Sequence, residues 1–273
     1  MVAQEEKLGF VGGGQMGEAL IRGVLGAGLY GAGQILVAEP AAPRRELLSE
    51  RYKVESHAEA GPLFDSCQTI ILAVKPQVME PVLRQNAARI KAGANLLISI
   101  AAGVPLAVME KALAPEPVPF IRVMPNTPAL VLEAASALAP GTHAGEEDMK
   151  KALAVFAAVG KTVVLPEASL DAVTGLSGSG PAYVFTFLEA LIDAGIKTGL
   201  SRDVAELLAR QTIIGSLKLA AESGKHPAEL RAMVTSPGGT TIAGLHALER
   251  GAFRSLIMDA VEAATRRSIE LRE

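Results

Sequence analysis

Leu8-Gly9-Phe10-Val11-Gly12-Gly13-Gly14-Gln15-Met16-Gly17 is the stretch that decides the fold of this chain. A short apolar run from Leu8 to Gly12 leads into a glycine turn. An apolar-periodic stretch with Ala19, Leu20, Gly23 and Val24 follows it. That order reads as strand, turn, helix. Gly12, Gly14 and Gly17 hold the fixed positions of G-x-G-x-x-G. Gly12 permits the tight turn, Gly14 lets backbone approach a pyrophosphate, and Gly17 lets the helix sit close on the strand. The helix start, with Gln15 and Met16, then offers free N–H groups and a positive dipole end to the phosphates.

Outward from this unit, strands and helices alternate. Strands are expected at Gln34 to Ala38, Thr69 to Val74, Asn95 to Ile100, Phe120 to Val123 and Lys161 to Leu165. Helices are expected at Pro43 to Tyr52, Gln77 to Ile90 and Gly141 to Val159. The alternation implies an α/β Rossmann domain, a parallel sheet with helices on both faces. Such sheets bind ligands at the carboxyl ends of their strands. Those ends are Ala73-Val74-Lys75-Pro76, Ala101-Ala102-Gly103 and the Met124 to Pro128 segment containing Asn126. All are small, kinked or Pro-bearing, as loops lining a dinucleotide would be. The second strand runs out at Glu39, with Arg44 and Arg45 close behind. An acidic residue there suits the ribose of NAD and an arginine the 2′-phosphate of NADP, so the sequence leaves NADH or NADPH open.

Composition excludes other classes. The 273 residues carry 26 Lys and Arg against 29 Asp and Glu, a formal net charge of −3, with 49% hydrophobic and 20% charged residues. That is globular composition and not disorder. One cysteine, Cys67, makes a disulfide framework impossible and reads as a buried small hydrophobe beside a strand. Mild acidity and 4% aromatics argue against a nucleic-acid partner. No cluster has metal-ligand spacing. The uncharged run Ala92 to Met109 contains Asn95, Ser99, Gly103 and Pro105, so no membrane span is expected. The opening MVAQEEKLGF has an early acidic pair and no apolar segment before it, which suggests a cytoplasmic protein.

Strand signals stop after Pro166, so a boundary is expected there: a Rossmann domain over 1–166 and an all-α domain over 167–273. Ala182 to Ile196 is apolar almost all round, with Tyr183, Val184, Phe185, Phe187, Leu188, Leu191 and Ile192. Such a helix must be buried on most faces, and a domain of this size needs a second subunit to do it. The last helix puts Phe253, Leu256, Ile257, Ala260, Val261 and Ala264 on one stripe. Two polar stretches stand out in this half: Gly175 to Pro181, and Thr235-Ser236-Pro237-Gly238-Gly239-Thr240-Thr241. Each sets glycines and hydroxyls ahead of a helix, where amides can meet an anion or hydroxyls can cap the helix.

At these residues the chain resembles pyrroline-5-carboxylate reductases. The resemblance is carried by Gly9 to Gly17, Ala73 to Pro76, Arg122 to Pro128, Gly175 to Tyr183 and Pro227 to Glu249, and runs nearly the whole length. It implies reduction of the ring imine of 1-pyrroline-5-carboxylate to L-proline by NADPH or NADH. It also implies a homo-oligomer built on dimers through the helical domain. By the resemblance, Thr241 stands beside the imine nitrogen and Glu167 lies near the substrate. The Gly238, Gly239 and Thr240 amides would anchor the carboxylate, with Ser236 holding the loop. Where some members have Asn ahead of the turn, this chain has Met233 and offers no amide side chain. His57, His143, His226 and His246 are scattered and read as surface or capping residues, His226 and His246 flanking the loop. Lys75 reads as a loop residue touching cofactor. Two rivals stand beside this reading. A β-hydroxyacid dehydrogenase would need a lysine base on the helix after Gly180, and Pro181 to Ala194 has none. A non-catalytic dinucleotide sensor would not need the second polar loop.

Overall fold

The protein is described by a computed structural model covering residues 6–272. The opening five residues, part of the segment read for targeting, lie outside the described residues. The chain packs as two units. One runs to Ser179 and takes in the chain again from Ala263; the other is Gly180–Glu262.

In the first unit an eight-stranded sheet is built in the order β3-β2-β1-β4-β5-β6-β7-β8. Its strands are β1 (Leu8–Val11), β2 (Ile35–Ala38), β3 (Glu55–His57), β4 (Thr69–Leu72), β5 (Leu96–Ser99), β6 (Phe120–Met124), β7 (Ala134–Pro140) and β8 (Gly160–Val164). The helices of this unit are α1 (Gln15–Gly26), α2 (Ala42–Tyr52), α3 (Gly61–Ser66), α4 (Pro76–Asn86), α5 (Leu106–Leu113), α6 (Glu146–Ala157) and α7 (Leu170–Val173). The central strands β1, β2, β4 and β5 are buried on both faces, because each face carries helices. Leu8, Phe10, Ile35, Val37, Ile71 and Ile98 pack with α1 and α6 in one core layer. Val11, Leu36, Ile70, Leu72 and Leu97 pack with α3, α4 and α5 in the other. β1 has β2 on one side and β4 on the other, so the strand order reverses at β1. That is the switch point where the crevice opens.

The expectation of an all-parallel sheet is corrected at β7, which pairs antiparallel with β6. The connection is short and holds only a 3₁₀ turn, Thr127–Val131, where a parallel return needs a long crossover. Its sequence, AASALAP, lacks the β-branched residues that mark a strand. β3 also went unread: it is a three-residue polar edge strand, Glu-Ser-His.

The strands end before residue 166, where the boundary is expected, but the packing continues past it. Leu170 joins Ala137 and Ala139 of β7 in a small core. Asp171, 3% exposed, accepts from Ser268 Oγ at 2.9 Å and pairs with Arg272 at 2.6 Å. The C-terminal segment is thereby tied into the first unit.

The second unit comprises α8 (Gly180–Lys197), α9 (Arg202–Ser223), α10 (Pro227–Met233), α11 (Thr240–Arg250) and the first part of α12 (Phe253–Glu270). Gly195 lets α8 sit close on α9: a Cβ there would stand 2.9 Å from the Ala205 methyl. Phe187 meets Phe253 with ring centroids 5.9 Å apart, and Tyr183 donates to the Ala260 carbonyl. Yet this unit has almost no core of its own. Of Gly180–Glu262 only Ala205 and Ala209 are buried. Phe185, Leu207 and Leu217 are each more than 60% exposed. The helix that must be buried on most faces is open in the single chain, which leaves its apolar surface for another subunit.

Candidate active site

The glycine turn has the geometry its sequence requires. Gly12 sits at φ +106°, and its N–H donates to Ala38 O at 2.8 Å. A Cβ on Gly12 would stand 2.5 Å from Ala73 O, and one on Gly17 would stand 2.5 Å from Gly12 O. The turn is therefore wedged between β4 and α1. Gly14 is the N-cap of α1 and has nothing within 4 Å of where its Cβ would be. No side chain caps α1, which leaves its first amides without a side-chain acceptor. These are the requirements for a pyrophosphate against the helix start.

A cleft of ≈ 800 Å³ opens beside this turn. Of the expected cofactor residues, Gly12, Gly14, Glu39, Ala73, Val74 and Lys75 line it. Gln15 borders a separate hollow with Glu18 and Arg22, while Met16 packs partly against the core. Pro76 opens α4 and, with Gly103, borders another groove. Ala101 is buried and its N–H donates to Ser99 Oγ. Ala102 belongs to the same loop. Asn126 is engaged at both ends of its amide, accepting from Ala135 N–H and donating to Ser177 O. The sequence missed the outer wall of the cleft, which includes Ala58, Ala60, Gly61, Val78 and Val82. Those residues follow the unread β3 or lie on α4, and no glycine motif marks them. Ala58, Ala60, Val78 and Val82 give the wall an apolar stretch of the kind that takes a flat heterocycle, beside the polar Glu59, Gln85, Asn86 and Arg89.

Glu39 Oε2 accepts from Gly13 N–H at 2.9 Å and Oε1 from Ala41 N–H at 3.0 Å. Arg44 Nε donates to Gly13 O, and its Nη2 reaches both Gly14 O and Glu18. Burial raises the pKa of Glu18, but Tyr52, Arg44 and Arg51 outweigh it and hold the carboxyl below its usual value. A carboxyl lowered on folding stabilises the native state above about pH 4.3 and loses that contribution as pH falls through the folded value. Tyr52→Phe removes the 2.8 Å bond to Glu18 and is expected to cost about 1 kcal/mol at neutral pH. Melting curves from pH 7 to pH 3 check this: the gap to the wild type should close on acidification. A gap that stays constant would detach it from Glu18 ionisation.

Glu167 opens the 3₁₀ turn Glu167–Ser169. Its Oε1 accepts from Leu106 N–H at 2.8 Å and from Arg122 Nη1 at 2.9 Å. Arg122 is only 3% exposed, so Glu167 is the counter-charge of a buried cation. Sequence spacing could not reveal that pair. The Cys67 thiol is pushed up to about 11 by burial, which makes it a poor nucleophile. Among the described residues no group of three His, Cys, Asp or Glu could hold a metal ion.

The two polar stretches of the second half differ. Thr174–Gly178 is a π-helical turn, and Ser179 N–H donates to Thr174 O at 2.8 Å. The Ser179 amide is thereby engaged within the helix, in a stretch whose sequence left anion contact and helix capping both open. Ser236 to Gly239 is a tight turn closed by Gly239 N–H to Ser236 O at 3.1 Å. Pro237 and Gly238 occupy its centre, and Gly238 has φ +66°, the left-handed position such a turn demands. The turn delivers the chain into α11 with Gly239 as N-cap and no side-chain cap. Thr240 and Thr241 form its first turn, Thr241 half-buried. His226 caps α10, accepting from Ala228 N–H, and His246 is exposed on α11. No helix among the described residues is long and apolar enough to cross a membrane.

Comparison with known proteins gives this geometry a context. Residues 167–271 match the family profile described as pyrroline-5-carboxylate reductase dimerisation. Residues 7–103 match one described as NADP oxidoreductase coenzyme F420-dependent. The pyrroline-5-carboxylate reductase of Methanosarcina acetivorans is 45% identical over 268 residues, 98% of either chain. That of Arabidopsis thaliana is 43% identical, covering 98% of this chain and 96% of its own. Among solved structures, the Coxiella burnetii pyrroline-5-carboxylate reductase superimposes with TM-score 0.93 at 32% identity, covering 99% of this chain and 100% of its own.

Proposed function

The chain belongs to the pyrroline-5-carboxylate reductase family, and we infer from that premise how its residues reduce the ring imine of 1-pyrroline-5-carboxylate to L-proline. It is an NAD(P)H-dependent oxidoreductase acting on a C=N bond, in an oligomer built on dimers. The observation that carries the assignment of roles is a chain with two anion-ready helix starts. One, at α1, follows the wedged glycine turn; the other, at α11, follows the Ser-Pro-Gly-Gly turn.

Reduction of the imine needs a hydride at carbon, a proton at nitrogen and a hold on the carboxylate. Bound NAD(P)H supplies the hydride. Gly12, Gly14 and the first turn of α1, Gln15 to Gly17, would hold its pyrophosphate, and Glu39 would hold the adenosine ribose. Ala73, Val74, Lys75 and Pro76, and the loops of Ala101 to Gly103 and Asn126, form the proposed remainder of that site. The amides of Gly238, Gly239 and Thr240 hold the carboxylate, with Ser236 closing their turn. Thr241 would hydrogen-bond at the imine nitrogen, its oxygen accepting from the protonated imine N–H and its hydroxyl donating to the lone pair that hydride addition leaves on nitrogen. A protonated imine is already electrophilic, so no strong acid is required. Glu167 is the residue of the first unit proposed near the substrate, and it holds Arg122 and the start of α5. A β-hydroxyacid dehydrogenase is disfavoured because the one lysine of α8, Lys197, falls in its last turn. The proposed setting is the cytoplasm.

The assay is direct. Purified protein should oxidise NADPH or NADH only when 1-pyrroline-5-carboxylate is added. Cofactor binding without turnover would favour a dinucleotide sensor instead.

A further inference from the structure

The sequence places an acid and two arginines behind β2 and leaves the choice of dinucleotide open. We propose that this chain discriminates for NADH against NADPH, with Glu39 as the specificity-determining residue. The proposal rests on the dinucleotide cleft assigned above and deepens it.

Three observations carry it. Glu39 lines the cleft at the carboxyl end of β2, where the adenosine ribose of a dinucleotide falls in this topology. Its two oxygens each accept one backbone N–H, from Gly13 and from Ala41, which fixes the carboxylate in place. Each oxygen keeps a second lone-pair site, enough to accept from the 2′- and 3′-hydroxyls of a ribose. A 2′-phosphate offers only acceptors and negative charge, and would meet a fixed carboxylate.

Neither arginine lines the cleft, and both are engaged elsewhere. Arg44 faces the neighbouring hollow bordered by Gln15, Glu18 and Tyr52, and does not line the cleft. It is spent on Gly13 O, Gly14 O and Glu18. Arg45 donates to Glu39 O and Pro40 O at 2.8 Å each, and it too does not line the cleft. Two cations do line it, Lys75 and Arg89. Arg89 is paired with Asp65. Lys75 follows β4, two strands across from β2, and strand spacing puts it about 10 Å from the ribose end. Glu59 adds a further negative charge to the wall.

The test is equilibrium binding to the full chain without substrate, read from the fluorescence of NADH and of NADPH. NADH is expected to bind at least about tenfold more tightly. Glu39→Ser should narrow the ratio mainly by tightening NADPH. Glu39→Gln, which keeps shape and one acceptor, should narrow it less. NADPH binding as tightly as NADH to the unaltered protein overturns the proposal, and so does an unchanged ratio in Glu39→Ser. Binding of neither dinucleotide would overturn the cleft assignment itself, and the proposal with it. Binding of both with the expected ratio but no turnover would leave the preference standing and remove the reductase mechanism.

Discussion

Gly12→Val should abolish useful cofactor binding, with NADH affinity down by at least roughly 100-fold. The residue is held at φ +106°, where a side chain is strained by about 1–2 kcal/mol before any contact is counted. The added Cβ would then meet Ala73 O at 2.5 Å and Ala73 C at 2.8 Å. Both are backbone atoms at the end of a buried strand and cannot swing aside. The glycine turn must move, and there is little room for it beside Gly17, where Gly12 O already stands 2.5 Å from the place a Cβ would take. The start of α1 would lose its aim at the pyrophosphate. Fluorescence titration of NADH reads the loss, and a melting curve should show lower stability. Gly14→Ala makes the contrast: with nothing within 4 Å it should leave stability alone and weaken the dinucleotide only. Tight NADH binding in Gly12→Val would rule out this turn as the phosphate site.

Thr241→Val is the second large expected effect. Valine keeps the shape and removes the hydroxyl. Thr241 lies in the first turn of α11 without serving as its cap, so folding should lose little. If its hydroxyl orders the proton at the imine nitrogen, kcat should fall by roughly 100-fold, the low end of what a positioned proton-handling group supplies. The Kd for NADH should stay unchanged. Thr241→Ser should recover much of the rate. Steady-state kinetics with 1-pyrroline-5-carboxylate decides it, and an unaltered kcat removes Thr241 from the mechanism.

Both turns are legible in the sequence, because each is local, whereas the role of Thr241 comes from the family resemblance. G-x-G-x-x-G and Ser-Pro-Gly-Gly-Thr-Thr act within one turn, where a glycine's freedom or a proline's rigidity dictates the backbone. The buried strands were legible for a similar reason: an Ile-Ile-Leu run has few other places to go. Alanine-rich β7 and the polar edge β3 were not, since their pairing comes from neighbours that hold them in place. The Gly175 to Pro181 stretch shows the reverse error. Its composition suggests a loop, but the segment continues directly from α7 as a π-helical turn.

By itself the sequence determined a Rossmann half and a helical half, the two glycine turns, and a second half too apolar to stand alone. Each follows from short-range patterning. Only the tertiary structure decided what the charged residues do. Glu18 with Arg44, and Glu167 with Arg122, join elements 26 and 45 residues apart. It also turned Glu39 into the cleft and both arginines away from it. Charge acts through space over a few ångströms, and a chain folded across a sheet brings together groups that no spacing along it can foretell.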